Sequence, residues 1–230
     1  MSDHAAGGPL LALLQLCDSL FPVGAFAHSD GLEAATASGV VSRGEDLRAW
    51  LDVCLDDTFG RYEGPAVLFA WRAFTEGRSR DLMDLDAEVH AMRPSSASRQ
   101  ASRAMGARLL STWRRIRPGA DLDSCRHWPS GAVVTLPVAF AVACAAAEIE
   151  LRWALLGFMY TRLAATVSAA MRLMPIGQHE AHRLLADVIA RGPDVVQAVI
   201  ERGDPPAAFT PRLDVALMSQ QYLHSRLFRS

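Results

Sequence analysis

Residues 150–174 carry the longest uninterrupted helical pattern in the chain, and they set the scale of any fold that contains them. The stretch runs from Glu150 to Met174 without a proline and is closed by Pro175 and Gly177. As a helix of about 25 residues it spans about 38 Å at 1.5 Å per residue. A rod of that length crosses a small domain from end to end, so the remaining segments must pack around it. No run alternates apolar and polar residues as a half-buried strand would, and no repeat or low-complexity segment occurs.

The other segments repeat the helical signal. Leu10, Leu11, Leu13, Leu14 and Leu16 predict a short helix after Pro9. Ser42 and Glu45 have the spacing of a capping box, and Leu47, Trp50, Leu51, Cys54 and Leu55 follow on one helical face. Gly64-Pro65 predicts the start of a further helix, with proline at its first position. Leu82, Leu85, Val89 and Met92 mark the next, and a long helix runs from the serines at 95–98 to about Ile116. Residues 132–147 are uncharged and apolar but contain Pro137, and they fall short of the roughly 20 residues a bilayer span needs. They predict a buried core helix rather than a membrane segment. Thr210-Pro211 reads as the start of the last helix. The expectation is an all-α, single-domain bundle of about eight to ten helices around the 150–174 helix, covering residues 1–230.

Composition narrows the chemistry. Half of the 230 residues are hydrophobic, ample for a core, and the net charge of −2 argues against a nucleic-acid binder. All 23 basic residues are arginine, and the chain has neither lysine nor asparagine. That excludes a Walker-A lysine, a Schiff-base amine and an N-glycosylation site. Cys17, Cys54, Cys125 and Cys144 are too far apart for a zinc ribbon or a C-x-x-C motif and read as reduced thiols of a cytoplasmic protein. The N-terminus has Asp3 where a signal peptide would have basic residues. No G-x-S-x-G, dinucleotide fingerprint or paired-carboxylate motif suggests catalysis. His179 and His182 share a helical face but lack an evident third ligand, and Cys125 with His127 supplies two donors at most. Seven arginines and no acid lie between Arg93 and Arg117. That stripe suits a solvated face or an acidic partner better than a nucleic-acid backbone.

Residues 21–33, FPVGAFAHSDGLE, are the most distinctive stretch. Pro22 and Gly24 bend the backbone, Phe21, Val23 and Phe26 place apolar side chains on the bend, and Ser29 predicts the cap of the helix that follows. The stretch resembles the early motif of the F-type urease accessory proteins, L-P-x-G-x-F-x-[YH]-S-x-G-L-E, with Phe21, Ala25 and Asp30 as departures. Three further segments agree in order: SRAMGARLL at 102–110, RLMPIGQ at 172–178 and MSQQYLHSRLFRS at 218–230. Four motifs in register, spanning nearly the whole chain, make the resemblance specific.

The resemblance implies a non-enzymatic chaperone for urease maturation, without a catalytic site, metal site or cofactor of its own. Nickel would be handled by a complex with the D-type (also called H-type) accessory protein, the G-type GTPase and the urease apoprotein. A homodimer in the cytoplasm, apart from nucleic acid and membrane, is expected. The candidate partner contacts are Phe26 and His28 on the early turn and Arg226, Leu227, Phe228 and Arg229 in a docking tail at 224–230. Pro22, Gly24, Pro175 and Gly177 are candidate structural turns. Two rivals make definite demands. A helical DNA-binding regulator needs a basic N-terminal helix-turn-helix, whereas the first 40 residues hold no arginine or lysine. A helical metal-dependent enzyme needs acidic motifs on facing helices, and none is evident.

Overall fold

A computed structural model describes residues 3–23, 28–118, 122 and 134–228. These residues form helices and connecting turns, with no strand among them, as the sequence predicts. The α-helices are α1 (Asp3–Cys17), α2 (Leu32–Ala37), α3 (Gly44–Val53), α4 (Gly64–Thr75), α5 (Ser79–Ala91) and α6 (Ser96–Ile116), then α7 (Leu136–Ala146), α8 (Leu151–Leu173), α9 (Gln178–Ile189), α10 (Gly192–Arg202) and α11 (Pro211–Ser219). The long apolar pattern is α8, which touches α1, α2, α3, α4, α7, α9 and α10. It is long and apolar enough to cross a membrane by length and composition alone, but 56% of its apolar window is buried inside the fold. The 132–147 run supplies α7, whose residues Leu136 to Cys144 are all buried. Pro137 opens that helix rather than interrupting it, because the first turn needs no proline N–H.

Gly64-Pro65 opens α4 with the proline in its first turn, as the sequence predicts, but no break precedes it. Residues Cys54–Glu63 form a π-helical segment that joins α3 to α4, so one rod runs from Gly44 to Thr75. Pro65 cannot donate to the turn before it. The carbonyls of Gly60 and Arg61 are instead served from outside the rod, by the Arg202 guanidinium at 2.8 Å and the Ala207 N–H at 2.8 Å. The capping box shifts by one residue. Asp46, not Glu45, accepts the backbone N–H groups of Ser42 and Arg43, each at 3.0 Å.

Close helix contact has a sequence cause at Gly106 on α6. A Cβ built there would lie 2.1 Å from the Val134 carbonyl oxygen and 3.0 Å from Thr135. Nearby, Ser102 Oγ accepts the Leu136 N–H at 3.1 Å, and Asp86 accepts both the Thr135 N–H and its hydroxyl at 2.8 and 2.7 Å. The N-terminus of α7 is therefore tied into α5 and α6. Because backbone cannot retreat as a side chain can, Gly106→Ala should destabilise the fold by about 1–3 kcal/mol. Thermal unfolding should show a drop of about 2–4 °C for each kcal/mol lost. An unchanged midpoint would mean that α6 and α7 stand further apart.

Candidate functional site

The early motif turns out to be a junction. Val23 N–H donates to the Phe21 carbonyl at 2.7 Å, closing a three-residue turn over Pro22. Phe21 packs edge-on against Trp113, with ring centroids 6.1 Å apart, and Arg108 donates to the Val23 carbonyl at 3.2 Å. Gly24 and Phe26 lie outside the described residues, as do Arg229 and the Cys125–His127 pair. His28 is half-buried and electrostatically close to Asp30.

Ser29 does not cap α2. The chain enters α2 through two left-handed residues, Asp30 (φ 48°) and Gly31 (φ 86°), and Gly31 takes the cap position. A Cβ on Gly31 would sit 2.9 Å from the Leu217 backbone nitrogen, so only glycine fits against α11 here. The tight entry sends three polar side chains inward. The Ser29 hydroxyl donates to Gln220 Oε1 at 3.2 Å. The Asp30 carboxylate pairs with Arg162 in the middle of α8. Glu33, only 6% exposed, accepts the backbone N–H of Leu227, the N–H of Phe228 at 3.2 Å and Gln220 Nε2 at 3.1 Å. One carboxylate in the first turn of α2 thus anchors the C-terminal tail.

The tail is sorted by this anchor. Phe228 is 3% exposed and lies under the Arg172 guanidinium, 4.5 Å from its ring centroid. Arg226 and Leu227 face solvent. Arg226 stands beside a row of exposed apolar side chains on and after α11, namely Val215, Met218 and Tyr222. A groove of 380 Å³ separates that row from the N-terminal turn of α6. Pro175 and Gly177 lie in the exposed connection from α8 to α9. There the Gly177 carbonyl accepts the Ala181 N–H at 2.9 Å.

Behind the tail lies a buried charge network. Arg162 Nε donates to Glu63 at 3.2 Å, and Arg93 donates to the other Glu63 oxygen at 2.8 Å. Arg93 also stacks over the Tyr62 ring, whose hydroxyl donates to the Val89 carbonyl at 2.6 Å. Two guanidinium groups and two carboxylates balance to zero charge. Burial alone would raise the Asp30 carboxyl, but Arg162 and then Arg93 outweigh it and hold the group below the usual carboxylate range. Burial pushes the Tyr62 hydroxyl and the Cys54 and Cys17 thiols up to about 12, so all three stay protonated at neutral pH.

The arginine stripe is largely used within the chain. Arg93 pairs with Glu63, Arg99 donates to the Arg93 carbonyl, Arg103 approaches Asp86 at 3.9 Å, and Arg117 stacks on Trp113. His179 and His182 lie exposed on the first turn of α9. Among the described residues, no three His, Cys, Asp or Glu side chains come together as metal donors would. The arrangement is a buried polar scaffold that fixes a surface.

A family model described as UreF matches residues 41–189. The chain belongs to the UreF family. Urease accessory protein UreF of Azoarcus sp. (strain BH72) is 35% identical, with all of both chains covered. The protein of that name from Methylibium petroleiphilum is 34% identical over 96% of this chain and 94% of its own length. The one from Microcystis aeruginosa is 31% identical over 96% and 97%. Membership makes this a urease accessory protein, in a family of accessory proteins rather than known enzymes. In this UreF-family chain, sequence reasoning singled out the motif and the tail but missed Glu33, Gln220, Arg162 and Glu63, which join them. Arg162, a lone charge amid the apolar middle of α8, was the available signal.

Asp30 gives the network a pH signature. A carboxyl held below its unfolded value, about 3.9, adds stability above that pH and loses it as the pH falls through the lower folded value. Wild-type protein should therefore melt above Asp30→Asn at neutral pH, with the gap closing below about pH 4. A gap that stays constant into acid would place Asp30 outside the network.

Proposed function

We propose that this chain is a non-enzymatic scaffold for urease maturation. It holds the D/H-type accessory protein and the G-type GTPase against the urease apoprotein while the complex inserts nickel. The chain itself supplies surfaces, not ligands or catalytic groups. Family membership supports the urease role. The observation that carries the docking assignment is the Glu33 anchor, which fixes the tail's backbone and leaves Arg226 and Leu227 outward, Arg226 beside the apolar row of α11. Aromatic and arginine side chains on a held backbone are the usual makings of an interface hot spot. Phe228 contributes by seating the tail, and His28 by its place beside Asp30. We propose a cytoplasmic homodimer as the working form. Its apolar contact cannot come from α7, which is core; exposed side chains such as Leu20 and Phe209 remain for it.

Co-expression with urease and its accessory proteins tests the assignment. Arg226→Ala should cut co-purification of the partners and urease activation, with a hot-spot cost of about 2 kcal/mol, while helicity and melting stay near wild type. Glu33→Gln, which keeps the side-chain shape but loses the charged acceptor, should act in the same direction and also raise proteolysis at 224–228. Partners retained at wild-type strength by a chain lacking 224–230 would sink the docking assignment. Hydrolysis of urea or GTP by the homogeneous chain, abolished by a single substitution in it, would sink the scaffold reading.

A further inference from the structure

Residues four apart on a helix share a face. Asp86 and His90 are so placed on α5, and Arg99 and Arg103 on α6. The four side chains meet: Arg103 approaches Asp86, and the charges of Arg103, Arg99 and Asp86 all act on the half-buried His90. Asp86 cannot neutralise both arginines. Its Oδ1 is taken up by the Thr135 N–H and hydroxyl, and its Oδ2 stays 3.9 Å from Arg103 Nη2, beyond hydrogen-bond range. Arg99 donates to the Arg93 carbonyl at 2.7 Å, a neutral acceptor that leaves the guanidinium charge standing. Arg93 itself belongs to the zero-charge network through Glu63. With His90 neutral, two arginines against Asp86 leave one surplus positive charge.

Two nitrogens of this cluster go unanswered. Arg103 Nε and His90 Nδ1 are shut off from solvent, and neither has a hydrogen-bond partner. The arginine Nε–H is a donor in every protonation state a protein allows, so it calls for an acceptor. Burial, then Arg103 and Arg99, hold the His90 imidazole below its ordinary range and outweigh Asp86. The Arg103 side chain as a whole is 39% exposed, so a solute can reach its guanidinium. A single water could accept from Arg103, but it would leave the surplus charge in place.

We propose that His90, Arg99 and Arg103 bind a small oxyanion of the phosphate class. One oxygen accepts from Arg103 Nε–H, a second accepts from His90 as its Nδ1–H tautomer or imidazolium, and Arg99 adds its charge. Charge-assisted bonds of this kind are the strong ones. A tetrahedral anion suits donors that come from three side chains on two helices, whereas a carboxylate offers two oxygens in one plane. Through Asp86 the same cluster is tied to Thr135, so an occupied site braces the start of α7. The inference stands apart from the scaffold reading, since it needs no partner protein.

The test titrates the full chain with inorganic phosphate against chloride and acetate at constant ionic strength. Phosphate should raise the melting midpoint by at least about 3 °C over chloride, and acetate should not. In the imidazole NMR spectrum, with the His90 signal identified by its loss in His90→Asn, phosphate should shift that signal saturably. It should also raise the pH at which His90 titrates, because a bound anion favours the imidazolium. Arg103→Gln should weaken phosphate at least about tenfold while its melting in chloride matches wild type. Arg103→Lys, which keeps the charge but lacks the Nε–H, should weaken phosphate as well. A His90 signal indifferent to phosphate would overturn the proposal and leave the gap to water. So would acetate that acts as strongly as phosphate, or binding that survives in Arg103→Gln. Wild-type affinity in Arg103→Lys would reduce the site to diffuse charge and overturn it too. If Arg103→Gln melts early in chloride, the wild-type His90 titration and the acetate comparison decide.

Discussion

The guanidinium of Arg162 is the interaction on which the rest of the structure depends. It sits midway along α8, where an unpaired charge would be costly, and its cost is met by two carboxylates from different parts of the chain. Asp30 brings the early motif to α8, and Glu63 brings the end of the π-helical segment. Glu63 also binds Arg93, which precedes α6. Four elements are thereby fixed in register by charges that sum to zero. Breaking one member of such a cluster typically costs about 3–5 kcal/mol, because the remaining charges are left buried and unanswered. An apolar replacement of the whole set could be equally stable, so the network's effect lies in specificity: it sets which turn of α8 faces the motif.

The π-helical segment serves the same register from the other side. An α-helical path from Gly44 to Thr75 would leave Pro65 facing a carbonyl it cannot satisfy. The wider turn transfers that deficit to Gly60 and Arg61, whose oxygens then recruit Arg202 and Ala207. The chain between α10 and α11 is positioned by this exchange. α11 in turn lies against Gly31, so a proline in the middle of a rod helps to decide where the tail's supporting helix is placed.

The all-α class, α8, the burial of α7 and the opening of α11 were legible because they rest on local periodicity and on proline positions. What could not be read is nonlocal. Ser29 has the residue type of a helix cap, but its hydroxyl bonds to Gln220, 191 residues away. The join of α3 to α4 was hidden because Gly-Pro signals a helix start unless distant donors take up the freed carbonyls. At the candidate site, the motif and the tail stood out as sequence, while Glu33, which links them, looked like an ordinary acid in a helical first turn. Its burial follows only from the left-handed entry through Asp30 and Gly31, a local geometry that the neighbouring α11 backbone enforces.

Glu33 holds the tail through the main-chain N–H groups of Leu227 and Phe228 rather than through their side chains, and this has a consequence for how the tail can work. A carboxylate that binds backbone holds the segment's position without constraining the side chains it carries, apart from Phe228, which fills a core site. Arg226 and Leu227 are therefore free to be shaped by whatever they contact. A chain end normally loses much conformational entropy when it is ordered on a partner. Here the two main-chain bonds to Glu33, together with the burial of Phe228, incur that loss during folding. A contact made by Arg226 or Leu227 then carries more of its gross energy into net affinity than the same contact on a free tail.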